Sequence, residues 1–260
     1  MKCVDVLDDA DQYLFTYSDG FAWRNRDDEE LSEVWTVDLR QHRSVSPWRI
    51  TALDDPWIAC LCPTYEKKRG WMELVIEQFQ RQTYDNKVLY IVDGNTRGAN
   101  WALQKLAKWD GFVIYQWRPG WSLARKRNRL LELARDDAAS EWFCWFDDDE
   151  LRDPRWLELV MAAWDGRAEI ISPNYIDFLH VETGDVRPYK CPHIMLSSAL
   201  FQVEPCARVR FPDVVLPKVE DQPWLQELAG RRRLQRLEER YVWQVAHGDN
   251  CVNTVEKIFK

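Results

Sequence analysis

From Trp57 onward the sequence alternates short apolar runs of strand length with longer amphipathic stretches of helix length, and this alternation limits the fold most tightly. WIACLCPTY (57–65), KVLYIVDGN (87–95), FVIYQW (112–117) and EWFCWF (141–146) read as strands buried on both faces. Between them, MELVIEQFQRQ (72–82), ANWALQKLAKWD (99–110) and SLARKRNRLLELARDD (122–137) carry apolar residues at helical spacing. Strands joined by helical crossovers of this length lie parallel, with right-handed connections. The expected class is α/β, a Rossmann-like and mostly parallel sheet flanked by helices.

Ligands of such sheets bind just beyond the carboxyl ends of the strands. Three of these ends carry polar groups: Pro63-Thr64-Tyr65, Asp93-Gly94-Asn95 and the run Asp147-Asp148-Asp149-Glu150. They should line one pocket. The chain has neither GxGxxG nor GxxxxGK[ST], so a phosphate there must be met by a metal or by Arg and Lys. Three adjacent Asp repel and raise one another's pKa. A divalent cation removes that cost, and carboxylate oxygens suit Mg²⁺ or Mn²⁺. The plainer reading is a solvated turn, with Glu150 and Asp153 as surface charge and helix cap before Pro154. The position of the run at the end of a buried aromatic strand favours the metal.

Residues 1–54 read as a separate β-rich segment of unknown role, and 55–260 as the main domain. QYLFTY and GFAWRN flank Ser18-Asp19-Gly20, a hairpin turn, and EVWTVDLRQ (33–41) reads as a third strand. With 35 Lys+Arg against 43 Asp+Glu, the net charge of −8 argues against bulk nucleic acid as the main partner. No apolar stretch nears the ~20 residues that span a bilayer, and the acidic start does not resemble a signal peptide. Seven scattered cysteines without a CxxC pair suggest a reducing compartment. A cytoplasmic protein without integral membrane association is expected.

The segment CPTYEKKRGWMELVIEQFQRQTYDNKVLYIVDGN resembles the opening of family-2-type glycosyltransferases. Arg127-Asn128 is similar to that family's Ala-Arg-Asn segment, and FDDDELRDPRWLELV to its D-x-D-D-x-x-x-P-x-x-L pattern, with Glu150 in the fourth position. VEDQPWLQEL resembles its Glu-Asp segment, and HGDN its late His-x-x-Asn. Five motifs in order from Trp57 to Asn250 carry the resemblance, which also extends to small soluble members found in bacteriophages. It implies a GT-A fold and inverting, metal-dependent transfer from a nucleotide-sugar, expected to be a UDP-sugar, to an acceptor hydroxyl. Pro63, Thr64, Tyr65, Asp93, Arg127, Asp147 and Asp148 would bind the donor. Asp149 and His247 would hold the Mn²⁺ or Mg²⁺, and Asp221 would be the catalytic base. The expected acceptor is a glycan or similar compound, with a hydroxymethylated DNA base ranked second.

Two other classes compete: a sugar-phosphate nucleotidyltransferase, and a non-catalytic module that binds a sugar nucleotide. For Arg127 an exposed helix charge is the plainer reading, and for Asp221 a helix cap. RRRLQRLEER (231–240) reads as a solvated helix, with an anionic-acceptor patch as the alternative. Of the 15 Trp, most must be core, and Trp121, Trp156 and Trp224 are candidates for stacking on a sugar or base. His42, His180 and His193 read as structural, and Cys191-Pro192-His193 lacks a second ligand pair for zinc.

Overall fold

The apolar runs form the strands they predict, and their period of two divides the side chains between two cores. In the computed structural model, which describes residues 12–17, 20–25, 55–65, 69–98, 113–148, 150–180, 186–191, 193–212, 221–239 and 241–246, strand β3 (Trp57–Thr64) is buried almost throughout. Its Ile58, Cys60 and Cys62 face helix α1 (Arg69–Arg81), which presents Met72, Val75, Ile76 and Phe79 at helical spacing. Ala59 and Leu61 face helix α2 (Leu123–Asp136), which offers Ala124, Leu130, Leu131 and Ala134. The Ser122 side chain starts α2 by accepting the Arg125 N–H at 3.2 Å.

The two runs β1 (Gln12–Tyr17) and β2 (Gly20–Asn25) pair antiparallel, Tyr17 against Gly20, so Gly20 belongs to the second strand. The central sheet adds β4 (Lys87–Asp93), β5 (Val113–Trp117), β6 (Ser140–Trp145), β8 (Ile170–Pro173), β11 (Leu200–Gln202) and β12 (Leu234–Leu237) to β3, in the order β12-β8-β11-β6-β3-β4-β5. Every pairing in it is parallel except those of β11. A second sheet, ordered β10-β9-β13-β7, joins β7 (Glu150–Arg152), β9 (Tyr175–His180), β10 (Val186–Lys190) and β13 (Val242–Ala246). Helices α3 (Trp156–Ala162) and α4 (Asp221–Ala229) complete the described elements used below. The α/β class with a mostly parallel, helix-flanked sheet is therefore what the chain adopts.

Two expectations are corrected. RRRLQRLEER is not a helix: Leu234–Leu237 form an edge strand parallel to β8, and the Arg236 guanidinium donates to the Pro173, His193 and Cys191 carbonyls. Because β12 and β8 both run parallel to β6, Arg231–Arg233 lie at the amino edge of the sheet, opposite the acidic run. Arg231 and Arg233 pair there with Glu227 and Glu169, so the acceptor-patch alternative loses its basis. Trp156 and Trp224 are core residues, both 1% exposed, because each lies on the apolar face of its helix. The expected third strand at 33–41 and helix at 99–110 lie outside the described residues, as do Asp149, Glu220 and His247. Among the described residues no helix is long and apolar enough to cross a membrane.

Candidate active site

Strand register brings the polar ends together. β3 and β4 pair Thr64 with Asp93, and β4 and β5 pair Asp93 with Trp117. On the other side Leu61 pairs with Trp145, so three residues further along both strands Thr64 stands level with Asp148. The Thr64 hydroxyl accordingly donates to Asp148 Oδ2 at 2.8 Å. Pro63, Thr64 and Asp148 are buried, whereas Tyr65 is 39% exposed at the rim. Asp93 is buried too. Its Oδ1 accepts the Asn95 N–H at 2.8 Å and its Oδ2 the Tyr115 hydroxyl at 2.6 Å. Burial pushes the Asp93 carboxyl above its ordinary pKa, and these two bonds oppose the shift.

Arg127 gathers the residues from the far end of the sequence. Its guanidinium is ion-paired with Asp221 at the first turn of α4, and its Nη2 lies 3.8 Å from Asp147 Oδ2. The rings of Trp145 and Phe211 hold it, 5.4 and 5.2 Å from the guanidinium carbon. Arg127 is buried, so the exposed-helix reading is overturned. The signal was present in the sequence: Arg127 falls three residues after Ala124 and four before Leu131, on the apolar stripe of α2. Asp221 keeps 38% of its side chain exposed and is within reach of solvent.

Two residues that the motifs do not name complete the site. Lys126 is buried and its Nζ donates to the Thr64 carbonyl at 2.6 Å. Arg152 is fully buried and binds Glu150 Oε2 at 3.0 Å, and it also donates to the carbonyls of Trp145 and Asp147, both at 3.3 Å. Gln78 of α1 reinforces this clamp, donating to the Glu150 carbonyl at 2.8 Å and accepting from the Arg152 N–H at 2.7 Å. The acidic run thus meets cations of the protein itself: Asp147 faces Arg127, Glu150 faces Arg152, and Asp148 acts electrostatically on Lys126. Much of the repulsion within the run is offset inside the chain.

Hard carboxylate oxygens in this run fit Mg²⁺ or Mn²⁺. Among the described residues no three His, Cys, Asp or Glu side chains stand together as a ligand set.

A family model described as Glycosyl transferase family 2 matches residues 60–210. The match includes Thr64, Asp93, Arg127 and the acidic run and stops short of Asp221 and His247. No match is found among curated proteins. Among solved structures, S. aureus TarS aligns with a TM-score of 0.58 at 15% identity, over 73% of this chain and 36% of that one. S. aureus TarS 1–349 in complex with UDP aligns at 0.57 and 15% identity, over 73% of this chain and 60% of that one. The same fragment in complex with UDP-GlcNAc aligns at 0.56 and 15% identity, over 75% and 60%. The chain spans about a third of the longer TarS chain and 60% of the fragment, and at this identity the likeness is one of fold.

Proposed function

The chain belongs to glycosyl transferase family 2, and on that footing we propose that it transfers a sugar, with inversion, from a UDP-sugar to an acceptor hydroxyl. The observation that carries this reading is the bridge of Arg127 between Asp147 and Asp221, which joins an exposed carboxylate to the acidic run. UDP is preferred as the donor nucleotide because structures of the same fold are described with UDP and UDP-GlcNAc.

In the proposed reaction the acceptor hydroxyl gives its proton to an Asp221 carboxylate oxygen while its own oxygen bonds the anomeric carbon. The bond from that carbon to the diphosphate oxygen breaks on the opposite face, and the nucleoside diphosphate leaves with the electron pair. One such displacement inverts the anomeric centre. Arg127, held between two rings, adds fixed positive charge where the donor phosphates would lie. Tyr65 offers the base an exposed ring, and Asp93 accepts from its edge. Asp149 and His247 would hold Mn²⁺ or Mg²⁺, which supplies Lewis-acid stabilisation of a leaving phosphate.

The acceptor is a glycan or similar hydroxyl compound, with hydroxymethylated DNA as the second choice. Trp121, which follows β5 at the same sheet edge and stands 5.1 and 4.7 Å from the Arg118 and Arg125 guanidinium carbons, offers a flat and cationic face to either. Nucleoside mass spectrometry after incubation with hydroxymethylated DNA decides between them.

The metal assignment is tested by donor hydrolysis. Asp149→Asn is expected to lose stimulation by Mn²⁺ while melting near the wild-type temperature. His247→Ala should weaken metal affinity more than metal-free nucleotide binding. Wild type that is indifferent to excess EDTA, or an Asp149→Asn enzyme that still responds to Mn²⁺, overturns the assignment. A panel of nucleotide sugars in a thermal-shift assay identifies the donor, since a ligand at ~100 times its Kd adds about 2.7 kcal/mol of stability. A chain that is stabilised by a nucleotide sugar yet never hydrolyses or transfers it, with any metal, is a binding module instead.

A further inference from the structure

A lysine stands in the crevice between the carboxyl ends of β3 and β4, where sheets of this class take their ligands. Lys126 is 3% exposed, and its Nζ lies 2.6 Å from the Thr64 carbonyl oxygen and 5.2 Å from the centre of the Tyr65 ring. A Cβ built on Gly94 would come within 3.3 Å of the same nitrogen, so glycine at this strand end makes room for the lysine. An ammonium carries three N–H donors and no acceptor. Among the described residues the Thr64 carbonyl is its one hydrogen-bond acceptor. A buried cation with donors left over calls for an acceptor oxygen on whatever enters the crevice.

Asp93 supplies the complementary half. It stands beside Thr64 by register and acts electrostatically on Lys126. An ionised carboxylate offers about four lone-pair sites, and the Asn95 N–H and Tyr115 hydroxyl take one on each oxygen. Strand register sets this acceptor beside Thr64, the residue whose carbonyl holds the Lys126 ammonium, so a donor and an acceptor meet at neighbouring strand ends.

We propose that Lys126 selects the nucleobase of the donor, favouring a base whose edge presents a carbonyl oxygen next to an N–H, as uracil, thymine and guanine do. Cytosine and adenine present an amino group beside a bare ring nitrogen. Against this edge the amino N–H meets an ammonium and the bare nitrogen meets a carboxylate, donor to donor and acceptor to acceptor. A site built to hydrogen-bond one group rejects an isostere that cannot return the bond. The inference rests on the nucleotide-sugar reading above and adds to it the residue that sets the base.

UDP and CDP share a ring size and differ at this edge, so calorimetric titration of both isolates its chemistry. Wild type is expected to bind UDP about 10- to 100-fold more tightly than CDP, the value of one or two buried hydrogen bonds. Lys126→Met, which keeps the length and loses the donors, should bring the two affinities close together. Lys126→Gln, which offers both a donor and an acceptor, should do the same and serves if the Met variant fails to fold. Variants that keep the wild-type ratio overturn the proposal, as does an equal weakening of UDP and CDP, which would make Lys126 a charge and nothing more. Failure of the nucleotide-sugar reading itself shows differently, as wild type that binds neither nucleotide with or without Mn²⁺.

Discussion

Asp221→Asn is expected to bind donor as wild type does, melt near the wild-type temperature and transfer sugar roughly two to four orders of magnitude more slowly. A sugar hydroxyl is a poor nucleophile near neutral pH, and its proton must leave as the new bond forms. The Asp221 carboxylate is partly exposed and is held toward the acidic run by Arg127, which suits a group that must meet an incoming acceptor. Asn has the same shape and caps a helix as well as Asp does, so the first turn of α4 should survive the change. Its amide oxygen can still accept from Arg127, which also keeps Asp147 at 3.8 Å, and no buried charge is stranded. What Asn cannot do is take a proton. Donor affinity by calorimetry, melting temperature and turnover at saturating donor and acceptor separate these effects. Near-normal turnover would falsify the base assignment and pass the role to Glu220.

The parallel half of the fold was legible because its strands are buried on both faces, which leaves unbroken apolar runs such as Ile58–Cys62 and Val88–Val92. β8 to β11 carry no comparable signal: they are three to six residues long, and β10 is exposed along its whole length. The segment 231–240 misleads for a physical reason. Leu234 and Leu237 fall at helical spacing among arginines, while the bonds that make the segment a strand go to β8, some sixty residues earlier. The site divides in the same way. Thr64, Asp93 and the acidic run sit at strand ends, which punctuation in the sequence marks. Lys126 and Arg152 act chiefly on backbone carbonyls, and a carbonyl leaves no mark on the sequence. Glu150 read as surface charge or as a departure from the family pattern; it is instead buried, as the carboxylate that pairs with Arg152.

Arg152→Met should cost about 3–5 kcal/mol of stability, the usual loss when one member of a buried ion pair is removed. Both side chains are out of water, with Arg152 at 0% and Glu150 at 3% exposure, so solvent cannot take over the stranded carboxylate. Methionine fills a similar volume over the Phe146 ring, which lies 4.1 Å from the guanidinium carbon, and cavity formation is thereby kept small. Removing the charge as well, in Glu150→Met/Arg152→Met, should recover part of the loss, because two apolar groups of matched size replace a pair that is expensive to desolvate. The recovery should be incomplete. The carbonyls of Trp145 and Asp147 still lack the donor that Arg152 gave them, at about 1–3 kcal/mol for each acceptor left unsatisfied. Denaturant titrations of the two single variants and the double variant measure the pair and the clamp separately. The clamp has a second consequence, since these carbonyls belong to the chain that carries Asp147 and Asp148 into the crevice. A double variant that regains stability should still bind UDP more weakly than wild type, as its acidic run is no longer held in shape. Full recovery of both stability and affinity would reduce Arg152 to the counter-charge of Glu150, and a single variant within about 1 kcal/mol of wild type would remove even that role.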